Sequence, residues 1–402
     1  MDPKNRKKQA VFFLLFLGVV ALFSDFVHEG GRSIYGNYLD LIGVSAFLIS
    51  FIAGLGEFLG QALRVVTGYI ADQTKKYWTM MFIGYAINLL SIPFLAFVDA
   101  SILQVALVLI LLERVGKAIR APAKSALVSF TTSQLGAGKA FAVQELLDQF
   151  GAFLGPIFVY FILGLKAEAL SGYQLAFGAL GIFAVVTLVL LLVARFKYPH
   201  PDQMETASVS PKFRGDLRFL LYMAAIVFIA MGFIDFPLIS LHFERSATVP
   251  VLMIPLLYSL AMGVDAVSAI VFGAWFDKIG VRSLMVAIGL AALFAPLVFW
   301  FGEGWVQILG LVLWGVGMGA QESVLKSVIA TIVPKERRAT AYGIFYAVFG
   351  LFWFLGSLIV GWLYEQGLLT GMVVFSVIME LAGVFLLGLF WKRMSRKEPV
   401  QV

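Results

Sequence analysis

The sequence predicts an all-α membrane protein with twelve transmembrane helices in two pseudo-symmetric six-helix bundles. Three observations predict it. Of 402 residues, 61% are hydrophobic and only 13% charged, with a mean hydropathy of +0.93, well outside soluble globular usage. Apolar runs of the roughly 20 residues needed to cross the hydrocarbon follow one another almost end to end. Short motifs of the first half return in the second half in the same order. No length is left for a sizeable soluble domain.

Taken in order, the chain opens with Lys4, Arg6, Lys7 and Lys8 ahead of a long apolar run. The segment resembles a signal peptide, but no small-residue cleavage site follows and the run is too long, so a retained cytoplasmic terminus is expected. Spans are expected at 11–37, 44–70, 78–98, 102–128, 139–165 and 172–195, then at 217–243, 250–275, 283–302, 305–332, 339–365 and 370–392. Helices of a water-soluble core keep a polar stripe, and Val11 to Val20 and Val185 to Val193 show none. Between the two sets lies the longest polar stretch, Phe196 to Asp216, with Pro199, Pro201 and Pro211. The expected organisation is an N-terminal six-helix bundle over 1–195, a cytoplasmic linker over 196–216 and a C-terminal six-helix bundle over 217–402.

Loop charge sets the orientation. Lys75 and Lys76, Lys139, Arg195 through Arg218, Lys278 and Arg282, Lys335 to Arg338 and Lys392 to Lys397 all fall on one side, while the opposite loops offer Lys166 and Arg245. The basic side is cytoplasmic, which places both termini and the linker inside a plasma (inner) membrane. The net charge of +6 sits in these short loops, where lipid headgroups and membrane insertion account for it and nucleic acid need not be invoked. Cysteine is absent and histidine occurs only as His28, His200 and His242, which excludes disulfides, thiolate metal sites and cysteine nucleophiles. Gly136-Ala-Gly138-Lys139 lacks the glycine spacing and the Ser or Thr of a phosphate cradle. No cofactor or metal is expected, and a proton gradient is the expected energy source.

The internal repeat runs through both halves. Phe23-Ser-Asp25-Phe26 in the first span returns as Phe233-Ile-Asp235-Phe236 in the seventh, and Gly68 with Asp72 returns as Gly273 with Asp277. Val115-Gly116 recurs as Val316-Gly317, Ala140-Phe141 as Ala341-Tyr342, and Leu154-Gly155 as Leu355-Gly356. Matches in register with span number and loop side point to two related bundles.

These residues resemble a known family. A short loop after the second span with a Gly-x-x-x-Asp-basic pattern, repeated in the other half, is similar to the signature of the major facilitator superfamily of secondary transporters. The first copy is Gly68-Tyr-Ile-Ala-Asp72-Gln73-Thr-Lys75-Lys76, with Lys75 where a second glycine is usual and Gln73 where an arginine is usual. The second, Gly273-Ala-Trp-Phe-Asp277-Lys278-Ile-Gly280-Val-Arg282, fits more closely. Glu113-Arg114-Val-Gly116-Lys117-Ala-Ile-Arg120-Ala-Pro122 in the fourth span, and the acidic first span, also look like members. Gly151-x-x-x-Gly155-Pro156 in the fifth resembles the motif associated with antiporters, with Val159 and Tyr160 where that motif usually ends in glycines.

The resemblance implies alternating access and a cytoplasmic gate of Gly68, Asp72, Lys76, Gly273, Asp277 and Arg282. Physically, Gly68 and Gly273 suit tight loops with close backbones. Asp72 and Asp277 can accept from the unpaired N–H groups at a helix start in the opposite bundle, near Ala339 or Lys139. Lys76 and Arg282 are expected to add ion pairs.

Ionisable residues inside spans are the sharper clue, because charge at the bilayer centre costs roughly 2.5–3.5 kcal/mol per residue on the milder scale. Asp25, His28, Glu29 and Arg32 lie at i, i+3, i+4 and i+7 and share one helix face, expected to point into a polar cavity between the bundles. Gly30, Gly31 and Gly36 follow, where the helix can loosen. Asp235 repeats Asp25 in the partner bundle. Glu145 and Asp148 form a second acidic pair on one face; in a low-dielectric cavity both cannot ionise cheaply, so at least one is expected to hold a proton near neutrality. Arg114, Lys117, Arg120 and Lys124 make a basic face on the fourth helix, which can hold an anionic group or snorkel to headgroups. Glu322 and Lys326 are an i, i+4 pair that can satisfy each other, and Glu57, Gln61 and Arg64 form a stripe in the second helix. Phe23, Phe26, Tyr35, Phe236, Tyr258 and Trp314 are the expected aromatic walls of the cavity.

The expected function is therefore a proton-coupled secondary transporter of a small organic solute, with export preferred on the Gly151–Pro156 resemblance. Nutrient uptake or movement of an amphiphile or lipid would use the same architecture. An intramembrane enzyme using paired carboxylates or His28-Glu29 lacks an accompanying metal set or nucleophile motif, and a receptor without transport is the third class. The expected partners are the small-molecule substrate and the lipid bilayer, with the chain working as a monomer.

Overall fold

The computed structural model describes residues 3–131, 137–166, 170–200, 217–332 and 338–395. All regular structure among them is helical: α1 (Pro3–Arg32), α2 (Tyr35–Leu41), α3 (Ala46–Thr74), α4 (Tyr77–Phe94), α5 (Leu103–Ser129), α6 (Ala137–Leu163), α7 (Leu170–Lys197), α8 (Leu217–Gly232), α9 (Phe236–Ser246), α10 (Ile254–Ile279), α11 (Arg282–Ala291), α12 (Phe294–Phe299), α13 (Gly304–Ile332), α14 (Arg338–Glu365) and α15 (Leu369–Ser395). Eleven stretches among the described residues are long and apolar enough to cross a membrane. The expected fourth span is α5, a helix of 27 residues, about 40 Å long at 1.5 Å per residue. Its length suffices to span, but Glu113, Arg114, Lys117, Arg120 and Lys124 keep it out of the apolar eleven.

Three spans expected to be continuous are interrupted, the ninth of them between Ala291 and Phe294. The first gives way after Arg32, where Ser33 Oγ turns back to the Gly30 carbonyl at 2.7 Å, and resumes as α2. The seventh stops at Gly232 and restarts at Phe236. Here the cause is Pro237 in the first turn of α9, with Asp235 extended at its N-cap. Proline has no N–H to give a continuing helix, and in one its ring would strike the carbonyl of Phe233.

The chain divides into two compact units. Unit 1 comprises Met1–Val44, Leu59–Val209 and Val251–Ser259; unit 2 comprises Ser45–Phe58, Ser210–Pro250 and Leu260–Val402. Within unit 1, α1 packs along α6 and α7, and α4 along α5 and α7. Within unit 2, α8 packs along α14 and α15, and α11 along α13 and α15. Each unit thus uses the same packing scheme in the same chain order.

Glycine explains the tightest of these contacts. A Cβ on Gly155 of α6 would strike the Phe26 carbonyl of α1, and one on Gly151 would strike that of Leu22. The Gly151-x-x-x-Gly155 element is a small-residue seam that lets two backbones meet. Its repeat, Gly356 on α14, meets the Met231 backbone on α8 in the same way.

The expectation for Gly68 and Gly273 is corrected. The nearest foreign atoms to a Cβ on Gly68 are those of Pro122, at 3.6 Å and beyond, and Gly273 has nothing within 4 Å. The tight turn is made further along the loop, by Lys75 (φ 55°) and Gly280 (φ 64°), which occupy the same place in the two copies. Only the second copy uses the residue suited to a left-handed turn.

Candidate functional site

The face of α1 that carries Asp25, His28, Glu29 and Arg32 is turned into unit 1, where α5 lays its own charged face alongside. Glu113, Lys117, Arg120 and Lys124 succeed one another at steps of four, three and four residues, so one side of α5 meets α1 and α6. Arg120 Nη2 lies 3.2 Å from Asp25 Oδ1, and its other Nη donates to Tyr85 Oη at 3.3 Å, with the guanidinium 4.6 Å above that ring. Lys124 Nζ reaches Asp148 Oδ2 at 2.6 Å. Arg32 stands 3.7 Å from Glu29 Oε2.

His28 is the centre of the arrangement. Lys117 Nζ is 2.9 Å from His28 Nε2, and His28 Nδ1 is 2.6 Å from Glu113 Oε1. An ammonium has only protons to give, so Nε2 accepts and the neutral ring carries its hydrogen on Nδ1, which lies close to Glu113 without a hydrogen bond to it. Glu113 is further held by the Asn88 amide and by Arg114 Nε at 3.3 Å. Glu29 approaches His28 Nε2 at 3.4 Å through one oxygen, and through the other accepts a 2.5 Å hydrogen bond from Tyr258 Oη. Tyr258 comes from the first turns of α10, within the segment that belongs to unit 1.

The site is graded from fully enclosed to partly exposed. The His28 and Glu113 side chains are 0% exposed, Glu29 10%, Asp25 17% and Asp148 19%. His28 lies between an ammonium and a carboxylate, but Nδ1 is in no hydrogen bond with Glu113, so passing a proton from Lys117 to Glu113 through the ring requires the ring or the carboxylate to turn. Protonating Asp25 or Asp148 instead removes the charge that holds Arg120 or Lys124.

Several expectations are realised differently. Asp148 is paired with Lys124, and the Glu145 side chain is exposed, so the two acids do not enclose a common site. Arg120 and Lys124 do not snorkel to headgroups, because acids on α1 and α6 lie within reach. Asp235 lies in unit 2 and accepts from Trp353 Nε1 at 2.7 Å. Tyr35, Phe236 and Trp314 are buried, with Trp314 Nε1 donating to the Ile234 carbonyl at 2.8 Å; Phe26 is buried against Phe158 and Phe183, and Phe23 stacks on Phe183.

Among the gate residues, Asp72 and Lys76 are exposed, and Arg282 lies 3.9 Å over the Trp391 ring. Glu322 is exposed; the side chains of Asp277 and Lys326 lie outside the described residues.

Glu113, Asn88 and Tyr85 are site members that sequence alone does not single out as such. Glu113 had a signal, since it stands four residues before Lys117 in mid-span; Asn88 and Tyr85 sit in an ordinary apolar helix and had none. Among the described residues, unit 2 has no such network in the equivalent place. In the register set by Gly116 and Gly317, Trp314 replaces Glu113 and Gln321 replaces Arg120.

A family model described as Major Facilitator Superfamily matches residues 10–321 and 221–401. An uncharacterized protein of Mycobacterium tuberculosis (strain ATCC 25618 / H37Rv) is 34% identical over 394 residues, covering 96% of this chain and 94% of that protein. An uncharacterized MFS-type transporter of Methanocaldococcus jannaschii is 27% identical over 384 residues, covering 92% and 93%. Among solved structures, the nucleoside transporter NupG is similar with a TM-score of 0.71 at 14% identity, covering 94% of this chain and 98% of that one. A bacterial homologue of the human lysosomal transporter Spinster, inward-facing and occupied, gives 0.73 at 14% identity, covering 98% and 99%. At such identities these two likenesses establish the fold alone.

Proposed function

The chain belongs to the Major Facilitator Superfamily, and from that premise we propose that it is a proton-coupled secondary active transporter, moving a small organic solute by alternating access in the direction of export. We place it in the plasma membrane with both termini cytoplasmic, on the loop-charge bias.

One observation carries the proton coupling: the buried chain Tyr258–Glu29–His28–Glu113, with Lys117, Arg120 and Asp25 around it. Ionisable groups at membrane depth are expensive and are retained where they move ions or hold a substrate. A proton arriving on Glu29 or Asp25 discharges the carboxylate and frees a neighbouring base for the solute. Loss of that proton to the other side restores the pair. Export rests on the resemblance of Gly151–Pro156 to the antiporter element, and energy from a gradient fits a sequence without a phosphate cradle.

The test needs a solute first. A panel of organic compounds is screened for thermal stabilisation of the purified protein, since only a ligand of the folded form raises its stability. The stabilising compound is then followed in proteoliposomes. An imposed pH gradient should drive it, and Glu29→Gln or Asp25→Asn should remove that drive while exchange down the compound's own gradient persists. Transport that ignores the pH gradient in the unaltered protein sinks the coupling.

A further inference from the structure

Unit 2 lacks the charged network of unit 1 among the described residues, yet it contains a carboxylic acid more deeply enclosed than Asp25 or Glu29. Glu380 on α15 is 0% exposed, and neither of its oxygens has a hydrogen-bond partner among the described residues. It sits where α15 crosses the end of α8. Ser376, one turn earlier, donates to the Gly232 carbonyl at 2.6 Å, and Glu380 Cγ lies 2.9 Å from where a Gly232 Cβ would stand. Gly383, one turn later, abuts Ile229 and the Ala225 carbonyl. Glu380 is thus clamped against the last turn of α8, immediately before the break at 233–235.

The surroundings offer no charge to balance it. α8, α11, α12 and α14 pack on α15. Their titratable side chains among the described residues are Arg218 and Tyr222 on α8, Arg282 on α11, none on α12, and Tyr342, Tyr346, Tyr364 and Glu365 on α14. Lys392 and Arg393 stand at the far end of α15, and the Arg338 side chain lies outside the described residues. Tyr222 donates to the Leu325 carbonyl, Arg282 covers Trp391, Tyr364 meets His242, and Glu365 accepts from the Phe47 amide. Asp235, beyond the break, is bound to Trp353.

A helix presents its unpaired carbonyls and the negative end of its dipole at its C-terminus. A carboxylate there would be buried, unpaired and repelled; a carboxylic acid carries no charge to be repelled.

We propose that Glu380 is a proton-binding site of unit 2, occupied by its proton in this structure and separate from the network around His28. Release breaks the carboxyl O–H bond, hands the proton to water and leaves a carboxylate. Water reaches Glu380 only when the contact of α15 with the end of α8 loosens, and the neighbouring break supplies the place for that loosening. This goes beyond the proposed coupling through Glu29 and stands or falls apart from it, because its readout needs no transported solute.

The experiment is infrared spectroscopy of the full-length protein in lipid nanodiscs. The unaltered protein should show a carbonyl-stretch band of a protonated carboxylic acid at neutral pH, bleaching only in strong alkali, and Glu380→Gln should remove it. A spectrum unchanged at neutral pH by the substitution overturns the proposal. Should Glu380→Gln fail to fold, carbon NMR of the unaltered protein labelled at its glutamate carboxyls decides the matter. One resonance remaining at the protonated position at neutral pH supports the site, and all resonances at the ionised position refute it. Sodium chloride that abolishes the band at constant pH would assign the place to a cation and equally overturn the proposal.

Discussion

Replacing Asp25 by Asn tests whether the pairs in unit 1 are structurally coupled. The substitution keeps the shape of the side chain and removes the charge 3.2 Å from Arg120 Nη2. Removing one partner of a buried ion pair costs about 3–5 kcal/mol, chiefly because the other charge is left without compensation. Arg120 is only 4% exposed, so water does not replace the lost partner; Asp25 at 17% exposure and the Tyr85 ring under the guanidinium soften the loss. We expect the low end, about 3 kcal/mol, or roughly two orders of magnitude in the folded-to-unfolded ratio. The assay is reversible unfolding in mixed micelles of the unaltered protein, Asp25→Asn, Arg120→Gln and the double variant. The cycle subtracts the contacts that Arg120 makes with Tyr85. A coupling energy of about 2 kcal/mol or more, with the double variant more stable than the sum of the singles, is the expected outcome. A coupling below about 0.5 kcal/mol would refute the reasoning, for the two groups would then be independent of one another.

Two further outcomes test the packing. Gly155→Ala and Gly356→Ala each drive a methyl group into a backbone that cannot swing aside, of Phe26 and Met231 respectively, and should each destabilise by about 1–3 kcal/mol in the same unfolding assay; full stability in either would mean that its seam has room to spare. At the paired turns, Gly280→Ala should lose about 1 kcal/mol while Lys75→Gly gains up to about 1 kcal/mol, since both positions are left-handed and only one holds glycine. A gain and loss of the opposite sign would place the strain elsewhere.

The membrane class, the two-fold repeat and the buried face of α1 were legible because each leaves a periodic trace. Val11 to Val20 shows no polar stripe, and Asp25, His28, Glu29 and Arg32 recur at the spacing of one helix face. The partners across the bundle were not legible, because nothing local to α4 indicates that Asn88 and Tyr85 face α5. Asp148 and Glu145 illustrate the limit well. Three residues apart, they looked like two acids of one cavity, and packing turned one to Lys124 and the other outward. The break at 233–235 was written in Pro237, but the hydropathy of the whole seventh span masked it. Glu380 had no motif around it, and only its burial marks it out.

Glu29 and the tyrosine that seals it are 229 residues apart in the chain. A ribosome adding about 5–20 residues each second needs on the order of ten to forty seconds to cover that interval. During that time the nascent first helix waits in the bilayer with its acid uncapped. The insertion machinery must therefore shelter a half-finished assembly, and a gene fragment ending at the central linker would produce a bundle that never receives its stopper.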